Sequence, residues 1–207
     1  LGSYIQMIEG QSYVDFFFPG LLASTSMMVP FFESTYNNYT KLTFQKIYNH
    51  MMLTPLDSYE IVTGELLWST FKGFFGIAGL VVIGSFFGLV TGWQILIVVL
   101  ILTLNSWIFS GIAMTITSLA KNYDSFIYAT SGFLIPLTLI SGTYFPINQM
   151  PLVLQIVTYL FPLSHTVQLS RMLLSGEWHW SGFLHILYLL LAAYFFFTLA
   201  LERITKK

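Results

Sequence analysis

The stretch WQILIVVLILTLNSWIFSGIAMTITSL, residues 93–119, decides the fold class of this chain. It contains no Asp, Glu, Lys, Arg or His, and it exceeds the ~20 apolar residues that a helix needs to cross a membrane. A backbone in lipid must satisfy its own hydrogen bonds, and a single segment does so only as a helix. The stretch therefore predicts a transmembrane helix.

Four more segments are long and apolar enough to span a membrane. They are Tyr13–Phe32 (interrupted by Pro19 and Gly20), Leu66–Val90, Phe126–Tyr144 and Phe183–Leu201. Hydrophobic residues make up 56% of the chain and charged residues 8%, whereas a soluble domain has about a quarter charged residues. We expect an all-α integral membrane protein, with residues 1–207 forming one transmembrane domain that contains five transmembrane helices.

Several classes of function are disfavoured by the residue content. A net charge of −1 gives no basic excess for nucleic acid. The chain has no cysteine, and we find no histidine pair at metal-ligand spacing and no phosphate-binding glycine loop. We therefore expect no enzyme, no metal site and no cofactor on this chain. No ionisable residue lies between Gly73 and Ala120, which argues against an ion-coupled carrier.

Positive charges lie mainly on one side of the predicted spans, which sets the orientation. That side holds Lys41, Lys46, Lys121, Arg203, Lys206 and Lys207, and the opposite loops hold only Arg171. We expect a cytoplasmic C-terminus, residues 1–12 outside, and one further span before Leu1. Glu65 and Lys72 lie seven residues apart on one helix face, which predicts an ion pair near the cytoplasmic surface.

A polar insert, residues 33–60, separates the first two segments. Within it Phe44, Ile47, Tyr48 and Met51 have the spacing of one helix face. Thr54-Pro55 should end that helix, and Asp57 with Glu60 predicts the start of the next one. The helix could lie on lipid headgroups or dock into a groove of a cytoplasmic partner, and the pattern favours neither.

Two glycines suggest close helix packing: Gly84 and Gly88 are four residues apart, a spacing that lets helix backbones approach.

The segment 145–182 is divided by prolines into apolar pieces too short to span. Pro151 and Pro162 bound one piece, and a second follows to Ser175, which predicts interfacial or re-entrant helices. In the second piece His165, Gln168 and Arg171 form a narrow polar stripe. Its side chains could simply face headgroups or water, or they could line an outer gate.

Four motifs follow one another along the chain: PGL at 19–21, LTPLDSYEI at 53–61, SGTYFPINQMP at 141–151, and Met150-Pro151 followed after ten residues by Pro162-Leu163-x-His165-x5-Arg171. In this order they resemble the type-2 ABC exporter permeases, a family of lipo-oligosaccharide, polysaccharide and drug exporters. Thr143 fits the family's small-residue position less well. The similarity covers essentially the whole chain.

The resemblance implies six spans and a permease that forms a dimer, with a separate ATPase subunit below each copy. Residues 40–52 would be the coupling helix, which contacts the ATPase through Lys41, Phe44, Gln45, Ile47, Tyr48, Met51 and Met52. Residues 149–175, with Pro151, Pro162, His165, Gln168 and Arg171, would form the outer gate. ATP and Mg²⁺ would bind the ATPase subunit, and the location would be the bacterial cytoplasmic membrane.

The predicted function is export of an amphipathic substrate, such as a lipid-linked glycan, another lipid or a hydrophobic drug, driven by ATP on partner chains. The alternatives are an ion-coupled secondary transporter and a membrane scaffold that transports nothing.

Overall fold

The computed structural model describes residues 12–90 and 92–206 of the chain. The α-helices in this part are α1 Tyr13–Phe32, α2 Ile47–Met51, α3 Ser58–Phe86, α4 Gln94–Leu119, α5 Asp124–Ala129, α6 Ile135–Ile140, α7 Leu152–Thr158, α8 Pro162–Ser175 and α9 Ser181–Thr205. Wider π-helical turns extend α1 at Glu33–Asn37 and Thr40–Phe44 and join α5 to α6 at Thr130–Leu134. No strand occurs in the described residues, as expected for an all-α membrane protein.

Four helices in this part of the chain are long and apolar enough to cross a membrane: α1 with its extension to Phe44, α3, α4 and α9. The predicted span Phe126–Tyr144 is helical, but the helix ends at Ile140 and is shorter than a full span. A fifth span is counted only if α7 and α8 are taken together, and these two helices are bent by 91°.

The predicted interruption of the first span at Pro19 and Gly20 is wrong, because α1 continues through both residues. Pro30, also inside α1, has no N–H to donate to the carbonyl four residues earlier. Ser106 of α4 compensates, since its hydroxyl donates to the Ser26 carbonyl at 2.9 Å. A bond between helices thus replaces one within the helix.

Helix α4 lies at the centre of the bundle and contacts α1, α3, α8 and α9. The main hydrophobic core includes Leu22, Met27, Leu102, Phe109 and Leu163, all fully buried. We call the end of the bundle with residues 33–57 the Lys41 end, and the opposite end, with residues 141–151 and 175–181, the Arg171 end. The predicted outer position of residues 1–12 concerns, apart from Ser12, residues outside the described range.

Candidate functional sites at the two ends of the helix bundle

The insert at the Lys41 end is not the single helix Thr40–Met52 that the sequence predicts. A π-helical turn covers Thr40–Phe44 and α2 begins at Ile47. Between them Lys46 adopts a left-handed backbone with φ of 52°, a conformation that ends a right-handed helix. Helix α2 ends before Pro55, and Asp57 and Glu60 form a capping box at the start of α3, as predicted.

Tyr48 anchors the insert to the membrane helices. Its side chain is 1% exposed and packs among Ile61, Leu66, Met114 and Ile204 of α3, α4 and α9. Burial raises the pKa of the Tyr48 phenol, with a smaller contribution from the Glu65 carboxylate. The predicted contact of Tyr48 with a partner is therefore corrected, because this side chain faces the bundle.

Ile47 and Met51 also pack, half-buried, against the cluster around Tyr48. The predicted helix face is thus the inward face of the insert. Phe44 belongs to the same predicted face but is exposed, because the break at Lys46 turns it away.

The outward edge of the insert is apolar. Met52 and Phe44 are exposed, Leu53 is 84% exposed, and Leu56 follows at the same end of the bundle. Gln45 is exposed beside Phe44. An exposed apolar edge between two membrane helices is typical of a surface that binds another protein or lies against a membrane.

Two ion pairs join the insert and the end of α1 to α3. Lys41 Nζ lies 2.8 Å from the Glu65 carboxylate, and Lys72 Nζ lies 2.7 Å from Glu33. The predicted pairing of Glu65 with Lys72 is wrong. Because α1 and α3 pack antiparallel, Glu65 and Lys72 each lie beside a different residue of opposite charge.

An aromatic cluster fixes the other side of the insert. Tyr123, just before α5, stacks on Tyr36 at 6.1 Å and on Phe44 at 5.7 Å, with nearly parallel rings. Its hydroxyl lies 2.8 Å from the Thr40 hydroxyl, and the Tyr39 hydroxyl donates to the Lys121 carbonyl. A displacement of the insert would therefore move both the end of α1 and the loop before α5.

At the Arg171 end, α7 and α8 form a bent pair of helices with 91° between them, which we call the α7–α8 hairpin. Pro151 immediately precedes α7, Pro162 begins α8, and their places agree with the predicted boundaries. Helix α8 is buried against α1, α4 and α9, while most of α7 is exposed. The Thr166 hydroxyl donates to Asn105 Oδ1 in the middle of α4. Helix α8 therefore begins inside the bundle and runs outward.

Asn105 is a site residue that sequence reasoning did not predict. It is fully buried, and its amide donates to the Ser26 hydroxyl at 2.8 Å while its carbonyl accepts from Thr166. It thus joins α1, α4 and α8. An amide in the middle of an otherwise apolar span was the available signal, because such a group needs partners in lipid.

His165 does not face headgroups or an open gate. It is 8% exposed, and its Nδ1 lies 2.6 Å from Nδ1 of His185 in α9. Because the Tyr159 carbonyl can only accept, His165 Nε2 carries a proton, and in a neutral ring Nδ1 then accepts from His185. The sequence did not predict this histidine pair, since the two residues come from different helices.

Gln168 and Arg171 have separate partners, so the predicted polar stripe does not form one open face. Gln168 donates to the Tyr159 hydroxyl at 2.8 Å. Arg171 donates to the carbonyls of Phe16 and Gly142, and its guanidinium lies 3.7 Å above the Phe16 ring. Arg171 therefore ties the hairpin to α1 and to the turn after α6.

The two glycines predicted to pack together have different roles. A Cβ on Gly84 would lie 2.4 Å from Phe18 of α1, so Gly84 permits close helix contact. Gly88 lies beyond the end of α3 with φ of +72°. Its N–H bonds to Ser85 and that of Leu89 to Gly84, a glycine-terminated helix end. The prediction of packing is wrong for Gly88.

Within the described residues, no group of three or more His, Asp or Glu side chains could hold a metal ion.

Comparison with known proteins identifies a family and several relatives of this chain. Residues 6–201 match the family described as ABC-2 family transporter protein. Nodulation protein J of Rhizobium meliloti is 30% identical over 177 residues, 86% of this chain and 68% of that protein. Nodulation protein J of Sinorhizobium fredii is 29% identical, covering 83% of this chain and 65% of that protein.

A more distant relative is the inner membrane transport permease YadH of Escherichia coli. It is 23% identical over 167 residues, 81% of this chain and 65% of that protein. No solved structure matches the chain. The chain spans about two thirds of the length of the curated relatives it matches. The match over residues 6–201, together with the long apolar helices, shows that this chain is an integral membrane protein that belongs to the ABC-2 family of transporter proteins.

Proposed function

We propose that this chain is the membrane-spanning subunit of an ATP-driven exporter. A dimer of permease subunits would move an amphipathic substrate out of the cytoplasm or the inner leaflet. ATP and Mg²⁺ bind a separate ABC ATPase, which contacts the Lys41 end. Membership in the ABC-2 family supports this role, and the absence of a phosphate-binding loop from the sequence agrees with an ATPase on another chain.

One observation carries the partner assignment: the insert has an anchored face and an exposed apolar edge. Tyr48 fixes the inner face among the membrane helices, while Phe44, Met52 and Leu53 are exposed. A partner that moves this edge also moves the helices to which the insert is fixed. We therefore assign Phe44, Met52 and Leu53 to the ATPase contact, and Tyr48, Ile47 and Met51 to transmission of its movement.

The orientation proposed for this function places the Lys41 end in the cytoplasm of a bacterium. Lys46, Lys121 and Arg203 are exposed there, and the side with more Lys and Arg in short loops is usually cytoplasmic. The relatives compared are bacterial, and one of them is named an inner membrane permease.

Replacing Met52 and Leu53 by Asp tests the partner contact. Both side chains are exposed, so we expect normal membrane insertion and thermal stability. Two carboxylates would enter an apolar contact, and we expect at least tenfold less ABC ATPase to copurify with the affinity-tagged chain.

The matched control exchanges the same side chains, Met52→Leu with Leu53→Met, and keeps the edge apolar. It should copurify the ATPase as the unchanged chain does. If the unchanged chain recovers no ATPase from its native membrane, the proposed function is wrong. If the Asp variant retains the ATPase, only the assigned edge is wrong. Transport that follows an ion gradient without an ATPase would instead support a secondary carrier.

A further inference from the structure

A cavity at the Arg171 end lies between α1, α8 and the turn after α3. Its volume is about 740 Å³, within the range of ~300–1,000 Å³ typical of small-molecule sites. Phe16, Phe18 and Leu174 form apolar parts of its wall. The charged or titratable side chains that line it are Asp15, Arg171, Glu177 and His179. The cavity is thus amphipathic.

The cavity lies at the depth of lipid headgroups. Its lining comes from the first turn of α1, the residues just after α3 and the connection between α8 and α9. These are the ends of membrane-spanning helices, where the hydrocarbon gives way to the polar headgroup layer. Trp93, Trp178 and Trp180 are exposed at the same end, as is typical of side chains at that boundary.

The wall of the cavity contains both negative and positive side chains, so it suits a ligand that itself carries a positive and a negative charge. Within residues 12–90 and 92–206, neither Asp15 nor Glu177 has an ion-pair partner. Arg171 contributes a positive charge next to Phe16, where carbonyl oxygens and the ring hold its guanidinium in place. Among the described residues that line the cavity, two carboxylates outnumber one guanidinium, which disfavours a ligand that is itself anionic.

We propose that this cavity binds a membrane phospholipid with an ethanolamine headgroup. The ammonium group would donate hydrogen bonds to Asp15 and Glu177, and the phosphate would lie toward Arg171. The acyl chains would follow the apolar wall into the membrane. A choline headgroup has the same charge but no N–H to donate, and a glycerol headgroup leaves the lipid anionic. The site thus selects among lipids by hydrogen bonding and charge.

Lipid binding to the purified, delipidated chain in detergent tests the proposal. Native mass spectrometry would measure the dissociation constants of palmitoyl-oleoyl phosphatidylethanolamine, phosphatidylcholine and phosphatidylglycerol separately. We expect the ethanolamine lipid to bind about tenfold more tightly than either of the others, which corresponds to one charge-assisted hydrogen bond.

The variant Asp15→Asn with Glu177→Gln keeps the shape of the wall and removes both carboxylates. It should bind the ethanolamine lipid as weakly as the choline lipid. The control, Glu60→Gln with Asp124→Asn, removes two carboxylates at the Lys41 end and should keep the preference. Filling the cavity with Leu174→Trp should weaken the binding of the ethanolamine lipid.

Four results would overturn the inference. The first three are equal binding of the three lipids, tighter binding of the glycerol lipid, and a preference that survives in the Asn/Gln variant. Competition by soluble phosphoethanolamine as strong as that by the lipid would also overturn it, because the site would then take a free headgroup. No ATPase is present in the measurement, so this inference and the proposed function can fail independently.

Discussion

Lys41 and Glu65 lie on the insert and on α3, and their ion pair is largely shielded from water. Their side chains are 23% and 10% exposed, whereas those of Lys206 and Glu202, one turn apart on α9, are 68% and 59% exposed. Shielding from water strengthens an ion pair, and it also makes an unpaired charge more costly. The two pairs should therefore respond differently to the same substitution.

Lys41→Glu places two carboxylates next to each other at the base of the insert. We expect a loss of ~2 kcal/mol in the free energy of unfolding and weaker recovery of the ATPase. Charge reversal at both positions, Lys41→Glu with Glu65→Lys, should restore most of each. Denaturant titration in detergent measures the stability.

Lys206→Glu serves as the control for that substitution and should change stability little, because the pair is exposed. A double variant no more stable than Lys41→Glu alone would contradict the assigned pair.

Arg171 makes contacts that the sequence alone does not predict. As part of a polar stripe it could face water or an outer gate. In the structure its guanidinium joins α8 to the Phe16 and Gly142 carbonyls. Loss of Arg171 would therefore weaken the position of the hairpin as well as any contact with a ligand.

Helix α3 packs on α1 through its glycine face near the Arg171 end. Gly84 lies against the Phe18 ring, while Gly79, on the same helix, has open space where a Cβ would be placed. Both positions are glycines of α3, but only Gly84 has a neighbouring helix where its Cβ would be placed. They form a matched pair for testing the packing.

Gly84→Leu should lower the free energy of unfolding by ~1–3 kcal/mol, because a side chain would be forced into a filled space. Gly79→Leu should be close to neutral, since its side chain would extend away from neighbouring helices. Thermal unfolding of both variants in detergent gives the comparison. Equal loss in the two variants would show that helix propensity or insertion, and not the contact with Phe18, determines the effect.

Across the whole molecule, the two ends of the bundle differ in charge and in structure. The Lys41 end has an anchored insert with exposed Lys46 and Leu53, and the Arg171 end has the α7–α8 hairpin and the cavity of about 740 Å³. The proposed orientation assigns these ends to opposite sides of the membrane. The chain contains no cysteine, so a single introduced cysteine reports its own location.

We expect Glu177→Cys to react with a membrane-impermeant maleimide added to intact spheroplasts. Lys121→Cys, at the Lys41 end and outside the proposed ATPase contact, should react only after the membrane is permeabilised. Both positions are exposed in the structure, so a difference in labelling reflects the side of the membrane. The reverse pattern would contradict the orientation, and the unsubstituted chain controls for labelling elsewhere.

The sequence by itself determined the positions of the long helices, because apolar length and the hydrogen-bonding needs of a backbone in lipid are local properties. It also determined the capping box at Asp57 and the two prolines that delimit the hairpin helices. These features depend only on neighbouring residues. The same holds for the end of α2 before Pro55.

Only the tertiary structure decided which faces of the helices meet. The hydrophobic residues of α3 and α4 are spread around the whole helix, so no periodic pattern in the sequence distinguishes a buried face from a lipid-facing one. Lys41 is therefore paired with Glu65, His165 with His185, and Asn105 with Ser26 by the packing of separate helices. The outward direction of Phe44 follows from the break at Lys46, which helix periodicity did not predict.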